Sequence, residues 1–202
     1  AVTKLHSADE INEAIDCGIT DIGENKVQEI MDKYEKVKPV RWHLIGHLQT
    51  NKVKYIIDKV AMIHSVDSLH LAKEIDKRAR QHGLVMDILI QVNSAMEESK
   101  FGITTEETGK MIDDILRECP NIRIRGLMCI APFEDNPDDA RVYFAEVKKL
   151  YDEYAKVHHP NLDFKYLSMG MSNDFETAIA EGSNLIRIGT AIFGARNYNK
   201  IV

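Results

Sequence analysis

Long apolar runs, charge of one dominant sign and paired cysteines are all missing from this 202-residue chain. No apolar run approaches the roughly 20 residues needed to cross a bilayer, and no charged-then-apolar leader opens the sequence. The net charge is -6 at pH 7, and lysines and arginines are interspersed with acids. A nucleic-acid-binding surface needs a basic stripe that this pattern does not supply. We therefore expect neither a membrane nor a nucleic acid as a partner.

Cysteine is scarce, and its spacing excludes two classes of small protein. Cys17, Cys119 and Cys129 are odd in number and show no CxxC spacing, which excludes a disulfide framework and a zinc cluster. No histidine pattern such as HExxH is present. We expect a reducing, cytoplasmic location and a single domain over residues 1–202. Residue 1 is alanine and residues 1–4 resemble the end of a strand, so we expect a segment to precede them.

Short runs of strand-forming residues alternate along the chain with stretches of helical period. The predicted strands are 1–4, 19–24, 41–46, 61–66, 86–93, 122–130, 164–170 and 185–193. Helix ends are marked by Gly18, Gly83 and Gly182, and helix starts by Ser7, Ser68 and Ser172. Strict alternation predicts a parallel sheet, and eight units predict a (β/α)8 TIM barrel. An open doubly wound sheet is the alternative.

Ligands of such barrels bind at the carboxyl ends of the strands, so each predicted strand end is a candidate for the site. Lys4 ends the first strand beside Val2, and apolar neighbours inside the barrel would favour the free amine that forms a Schiff base. A solvated surface lysine is the other interpretation. His43 lies on a strand with no carboxylate at a telling spacing, which predicts a core histidine rather than a general base.

Two turns of small residues could hold an anion. Residues 168–172 form a predicted strand-to-helix turn in which Ser172 caps a helix running to about Glu181. The alternative is an ordinary serine cap with no ligand. A second turn, Gly189-Thr190, is predicted on the adjacent strand. Arg187 points inward on that strand and needs an acceptor, which Glu24 or a pyridine nitrogen could provide.

Five segments in order resemble the pyridoxal phosphate homeostasis proteins, which are single-domain relatives of the barrel half of bacterial alanine racemase. They are AVTK at 1–4, IGENKVQE at 22–29, WHLIGHLQTNK at 42–52, SMGMSND at 168–174 and RIGTAIFGAR at 187–196. Thr3 stands where the family has serine. The resemblance covers nearly the whole chain, and several motifs in the right order are more specific than any one of them.

The resemblance implies an alanine racemase type barrel (fold type III) that binds pyridoxal 5′-phosphate as an aldimine of Lys4. It further implies phosphate contacts from Ser172, Gly189 and Thr190, a contact from Arg187 to the pyridine nitrogen, and Asn25 beside the ring. Members usually carry an additional helix before the first strand, which is missing from this sequence.

Two functions fit these expectations. The first is intracellular cofactor homeostasis: a monomer that binds pyridoxal phosphate, exchanges it with apo-enzymes and free amino acids, and catalyses no committed turnover. The second is an amino-acid racemase, because the cofactor can act as an electron sink. Racemisation needs a second base on the opposite face, and only a short tail, residues 194–202, follows the last predicted strand. A pure interaction module would leave Lys4, Ser172 and Arg187 without a joint role.

Overall fold

Six parallel strands form one continuous sheet in chain order, in a computed structural model that describes residues 1–97 and 100–194. The strands are β1 (Asp21–Glu24), β2 (Arg41–Leu44), β3 (Met62–Val66), β4 (Met86–Val92), β5 (Ile122–Cys129) and β6 (Leu162–Ser168). Each was predicted within a few residues. Parallel strands that are neighbours in chain order need a crossover connection over the same face after every strand, which is the arrangement of a βα barrel.

The two ends of this sheet are joined through the first and last predicted strands. Val2 bridges Gly23 of β1, and Leu185 bridges Ser168 of β6, both in parallel. The ring closes because Val2 N donates to Ile188 O at 2.7 Å. The fold is therefore a closed (β/α)8 barrel of the alanine racemase type, with six regular strands and two strand positions reduced to isolated bridges. The open doubly wound sheet is excluded.

The eighth predicted strand, 185–193, was too long. Its second half is a short helix, Thr190–Phe193, that starts directly after Gly189. The sequence does not indicate where the strand ends and this helix begins, because the four residues of the helix are apolar or β-branched like those of the strand. Ala195 and Arg196, which belong to the last motif, lie outside the described residues.

Seven α-helices are present in the described ranges. They are α1 (Ala8–Asp16), α2 (Val27–Lys33), α3 (Leu69–Gln81), α4 (Thr105–Glu118), α5 (Arg141–Tyr154), α6 (Phe175–Ala180) and α7 (Thr190–Phe193), with 3-10 turns at Thr50–Tyr55 and Pro137–Ala140. Ser7 and Ser68 cap α1 and α3 as predicted. No helix in the described part of the chain is long and apolar enough to cross a bilayer.

Successive strand residues face opposite sides of the sheet, which separates two apolar regions. Ile63, Ile88 and Leu127 belong to the large core between the strands and the helices. Their neighbours Met62, Leu89 and Met128 form a smaller cluster of their own on the inner face. The barrel interior is thus packed, and a ligand has room only at its ends.

Candidate functional site at the carboxyl ends of the strands

All six residues expected to bind the cofactor line one open cleft at the carboxyl ends of the strands. They are Lys4, Asn25, Ser172, Arg187, Gly189 and Thr190. The cleft has a volume of about 430 Å³, within the usual range for a small-molecule site. Apolar side chains, including Ile45, Ile130 and Phe133, complete its lining. Residues from six different strand ends meet here because the barrel brings every strand end to the same face.

Lys4 reaches this cleft from a turn that follows the first bridge at Val2. Its side chain is half-buried, and it forms no salt bridge with any described residue. Lys33, on α2, is instead held by two carboxylates. An amine without an ion pair, at the edge of an apolar cleft, is available to a carbonyl carbon.

Ser172 is oriented by the neighbouring turn and not by a helix. Its Oγ accepts hydrogen bonds from Gly189 N at 3.3 Å and from Ala191 N at 3.4 Å. The two small-residue turns are therefore adjacent, as predicted, but the prediction that Ser172 caps a helix is wrong. The residue before α6 is Asp174, whose Oδ1 accepts from Met171 N at 2.6 Å. The sequence offered two cap-forming residues two positions apart, and the chain turns once more before the helix begins.

This arrangement leaves unused hydrogen-bond donors on residues that line the cleft. A hydroxyl has one donor and two acceptor positions, and both acceptor positions of Ser172 Oγ are taken by backbone N–H groups. Its own proton has no acceptor among the described residues. The backbone N–H groups of Ser172 and Thr190 also donate to no described residue. Several unused donors at one end of a cleft form a site for an anion such as phosphate.

Arg187 points into the barrel as predicted and is 6% exposed. Its Nη1 donates to Ser168 O at 2.8 Å and to Ser168 Oγ at 2.6 Å, and its Nη2 donates to Cys129 O at 2.8 Å. Burial lowers the pKa of Arg187 to about 10. Of the two acceptors that the sequence allowed for Arg187, Glu24 is excluded, because its carboxylate accepts from Lys33 and Thr3 instead. The Nε of Arg187 donates to no described residue, and it belongs to a side chain that lines the cleft.

A chain of buried hydrogen bonds continues from Arg187 through the barrel. Ser168 Oγ lies 3.5 Å from His64 Nδ1, His64 Nε2 lies 3.0 Å from His43 Nδ1, and His43 Nε2 lies 2.9 Å from Asp21 Oδ1. The arginine at one end is only a donor and the carboxylate at the other is only an acceptor. Each proton between them therefore points toward Asp21, which sets the tautomer of both histidines.

His43 and His64, the two histidines in this series of hydrogen bonds, are neutral at pH 7. Burial lowers the pKa of His64 far below its usual value, and nearby His43 and Arg187 lower it further. Burial also lowers the pKa of His43. His43 is a buried, bonded core residue as predicted, but it does have a carboxylate partner. His64 and Asp21 were not predicted, because the sequence does not show which residues of neighbouring strands lie opposite each other.

Asn25 follows β1 and lines the cleft beside a glycine that its backbone requires. A Cβ atom on Gly46 would lie 2.3 Å from Asn25 O. Only glycine allows this close approach of two strand ends, which gives Gly46 of the third motif, residues 42–52, a structural reason. The absence of a side chain at Gly46 therefore allows the backbone of Asn25 to lie where it does.

Comparison with known proteins places this geometry in a family. The alanine racemase N-terminal domain family matches residues 1–197. A pyridoxal phosphate homeostasis protein of Aquifex aeolicus is 47% identical over 190 residues, covering 93% of this chain and 82% of that protein. PipY of Synechococcus elongatus, solved with pyridoxal phosphate bound, is 34% identical with a TM-score of 0.85 and covers 96% of this chain and 91% of its own.

A more distant likeness extends to full-length racemases. Alanine racemase of Clostridium difficile has a TM-score of 0.70 at 16% identity, covering 98% of this chain and 52% of that one, which is a likeness of fold alone.

The structure of PipY without its cofactor superposes with a TM-score of 0.88. This chain belongs to the alanine racemase N-terminal domain family and, within it, to the pyridoxal phosphate homeostasis proteins.

Proposed function

We propose that this chain binds pyridoxal 5′-phosphate covalently through Lys4 and acts in cofactor homeostasis, storing and releasing the cofactor without committed turnover. The observation that carries the proposal is that three kinds of functional group line the same cleft. An amine without an ion pair, a group of unused anion donors and an arginine with an unused Nε all face it. The names of the relatives support the same function, as does the bound cofactor of PipY.

The cleft fits each part of the cofactor in turn. The phosphate group matches the donors of Ser172 and Thr190, since a dianion is stabilised by several hydroxyl and backbone N–H groups together. Arg187 Nε suits a pyridine nitrogen because an arginine donates and never accepts. Lys4 would supply the amine, and Asn25, which also lines the cleft, would lie beside the ring. When bound, the cofactor supplies an aldehyde carbon that condenses reversibly with amines, releasing water.

The lining of the cleft argues against a racemase. Two-base racemisation needs a proton donor and a proton acceptor on opposite faces of the substrate. Among the described residues that line the cleft, the titratable side chains are those of Lys4 and Arg187. Arg187 stays protonated at pH 7 and is committed to Ser168 and Cys129. One amine completes half of a two-base exchange, while reversible capture of the cofactor needs no second base.

The proposal includes the setting in which the protein works. One barrel domain over residues 1–202, monomeric and cytoplasmic, would exchange the cofactor with apo-enzymes and with free amino acids. Cys17 is exposed and unpaired, which suits a reducing compartment. Within the described ranges the cleft is open at the carboxyl ends of the strands, where water and small amines can reach Lys4.

Two assays on the loaded protein test this function. In the first, an apo-enzyme that requires pyridoxal phosphate is mixed with loaded protein, and we expect its activity to recover. In the second, loaded protein is incubated with L- and D-alanine in deuterated water, and we expect negligible α-proton exchange. Lys26→Ala, which changes an exposed neighbour, should behave as wild type in both assays. Fast exchange with inversion that is lost in Lys4→Ala would contradict the proposal and favour the racemase.

A further inference from the structure

Lys4 occupies a turn whose backbone is unfavourable for its own sequence. His6 N donates to Thr3 O at 3.1 Å, so residues 3–6 form a hydrogen-bonded β-turn with Lys4 second and Leu5 third. Leu5 has a φ of 66°, whereas Lys4 is outside the positive region. A positive φ at the third position alone is the type II pattern, which favours glycine there. A leucine in this conformation is strained.

The strained turn is not held in place by packing of its own side chain. Leu5 is 37% exposed, so the burial of its side chain gives little to offset the unfavourable backbone. Something else must hold residues 3–6 in this conformation. The contacts that do so come from α2 and the end of β1.

One buried ion cluster forms hydrogen bonds with the backbone on both sides of Lys4. Lys33 Nζ donates to Thr3 O at 3.1 Å, to Glu24 Oε1 at 2.7 Å and to Glu29 Oε2 at 2.8 Å. Leu5 N donates to the same Glu29 Oε2 at 2.8 Å. Thr3 Oγ1 completes the cluster by donating to Glu24 Oε1 at 2.7 Å. All three donors of the ammonium are used.

The charged groups of this cluster are buried, and removing them from water costs free energy. Glu24 is fully buried, and the side chains of Lys33 and Glu29 are 13% and 16% exposed. Burial raises the pKa of Glu24. For Glu29, hydrogen bonds from Lys33 and Leu5 outweigh burial and lower the pKa. Apolar residues often pack a helix as well as a buried ion pair does, and what distinguishes this cluster is that it also bonds the backbone of Thr3 and Leu5.

We propose that Glu29 and Lys33 are positioning residues for Lys4, which hold the strained turn so that the lysine Nζ faces the cleft. The inference rests on the proposed function, because it assigns these residues to covalent capture at Lys4. Neither residue lines the cleft. They act through the backbone of Thr3 and Leu5.

The test separates positioning of Lys4 from general support of the site. Glu29→Ala and Lys33→Met apo-proteins are titrated with pyridoxal 5′-phosphate and, separately, with pyridoxamine 5′-phosphate, which lacks the aldehyde. The loss of a charge-assisted hydrogen bond predicts roughly tenfold less covalent link to Lys4 at equilibrium, measured as borohydride-fixed mass. Affinity for pyridoxamine 5′-phosphate should stay within about twofold, since Lys4 forms no bond to it. Asp32→Ala, on the exposed face of the same helix, should match wild type.

A second substitution tests the strain directly. Glycine adopts a positive φ without penalty, so adding Leu5→Gly to Glu29→Ala should restore most of the covalent link, while adding Leu5→Ala should not. Glu29→Gln keeps an acceptor oxygen for Leu5 N and should lose less of the link than Glu29→Ala.

Three results would overturn the inference: an unchanged link in Glu29→Ala, an equal loss of affinity for both ligands, or no rescue by glycine. A wild-type protein that forms no link at Lys4 would instead overturn the proposed function itself. The wild-type titration therefore distinguishes the two failures.

Discussion

Replacing Ser172 with alanine should weaken cofactor binding without destabilising the fold. The substitution removes a hydroxyl whose proton has no acceptor among the described residues and whose oxygen is held by Gly189 N and Ala191 N. A hydrogen bond to a charged acceptor is worth about 1.5 to 3 kcal/mol. The alanine also leaves two N–H groups that the phosphate can recruit. We therefore expect the lower part of that range, an affinity loss of roughly 10- to 30-fold.

The effect on stability should be small for a structural reason. Ser172 does not cap α6, and its two hydrogen bonds are long. Ser7 provides the matched control, because it forms a complete capping box with Glu10 at the start of α1 and does not line the cleft. Ser7→Ala should lower the free energy of unfolding by about 1 kcal/mol and leave affinity unchanged.

Equilibrium titration with pyridoxal 5′-phosphate and urea unfolding of the apo-protein are measured on both variants. The reasoning is refuted if Ser172→Ala unfolds as easily as Ser7→Ala while binding the cofactor as tightly as wild type. That outcome would make Ser172 a structural residue only.

Two further predictions concern the barrel itself. Gly126→Ala should cost roughly 2 to 4 kcal/mol of unfolding free energy, because Gly126 has a φ of 141° and its Cβ would lie 1.8 Å from Tyr166 O. Gly83→Ala, at a φ of 65° with nothing within 4 Å, should cost only about 1 to 2 kcal/mol in urea unfolding, and equal costs would contradict the steric argument. His64 stays neutral in the fold but protonates when unfolded, so its contribution to stability is complete above its unfolded pKa and is lost as pH falls below about 6.5. His64→Gln should therefore flatten the decline of unfolding free energy between about pH 7 and pH 5, and a parallel decline in both proteins would count against a buried neutral histidine.

The fold was predictable because it depends on period and order, which a sequence contains. Apolar runs at 86–93 and 122–130 have the length of buried strands, and glycines with positive φ at positions 18, 83 and 182 end the preceding helices or turns. The first and last strands were harder to delimit. Their few residues pair with Gly23 and Ser168 only through isolated bridges, and pairing of this kind depends on partners that are distant in the chain.

The candidate site was predictable to the extent that strand ends determine it. Lys4, Arg187 and Gly189 follow the isolated bridges at Val2 and Leu185, and the barrel brings the ends of these strand positions together whatever the side chains are. Partner choice was not predictable, because it depends on register. His43 bonds to Asp21, and Arg187 bonds to Ser168 and not to Glu24. Each pair joins residues of two neighbouring strands, and the spacing of residues within one strand does not show which residue of the next strand lies opposite.

The most direct test of the account is to locate the covalent link. Wild-type protein loaded with pyridoxal 5′-phosphate is reduced with borohydride, digested and analysed by mass spectrometry, with Lys4→Ala as the control. We expect the added mass on the peptide that contains Lys4, and reversible binding without added mass in Lys4→Ala, because Ser172 and Thr190 remain to hold the phosphate. An adduct on Lys26 or Lys52, or an unmodified Lys4 in the loaded protein, would contradict the assignment of this cleft.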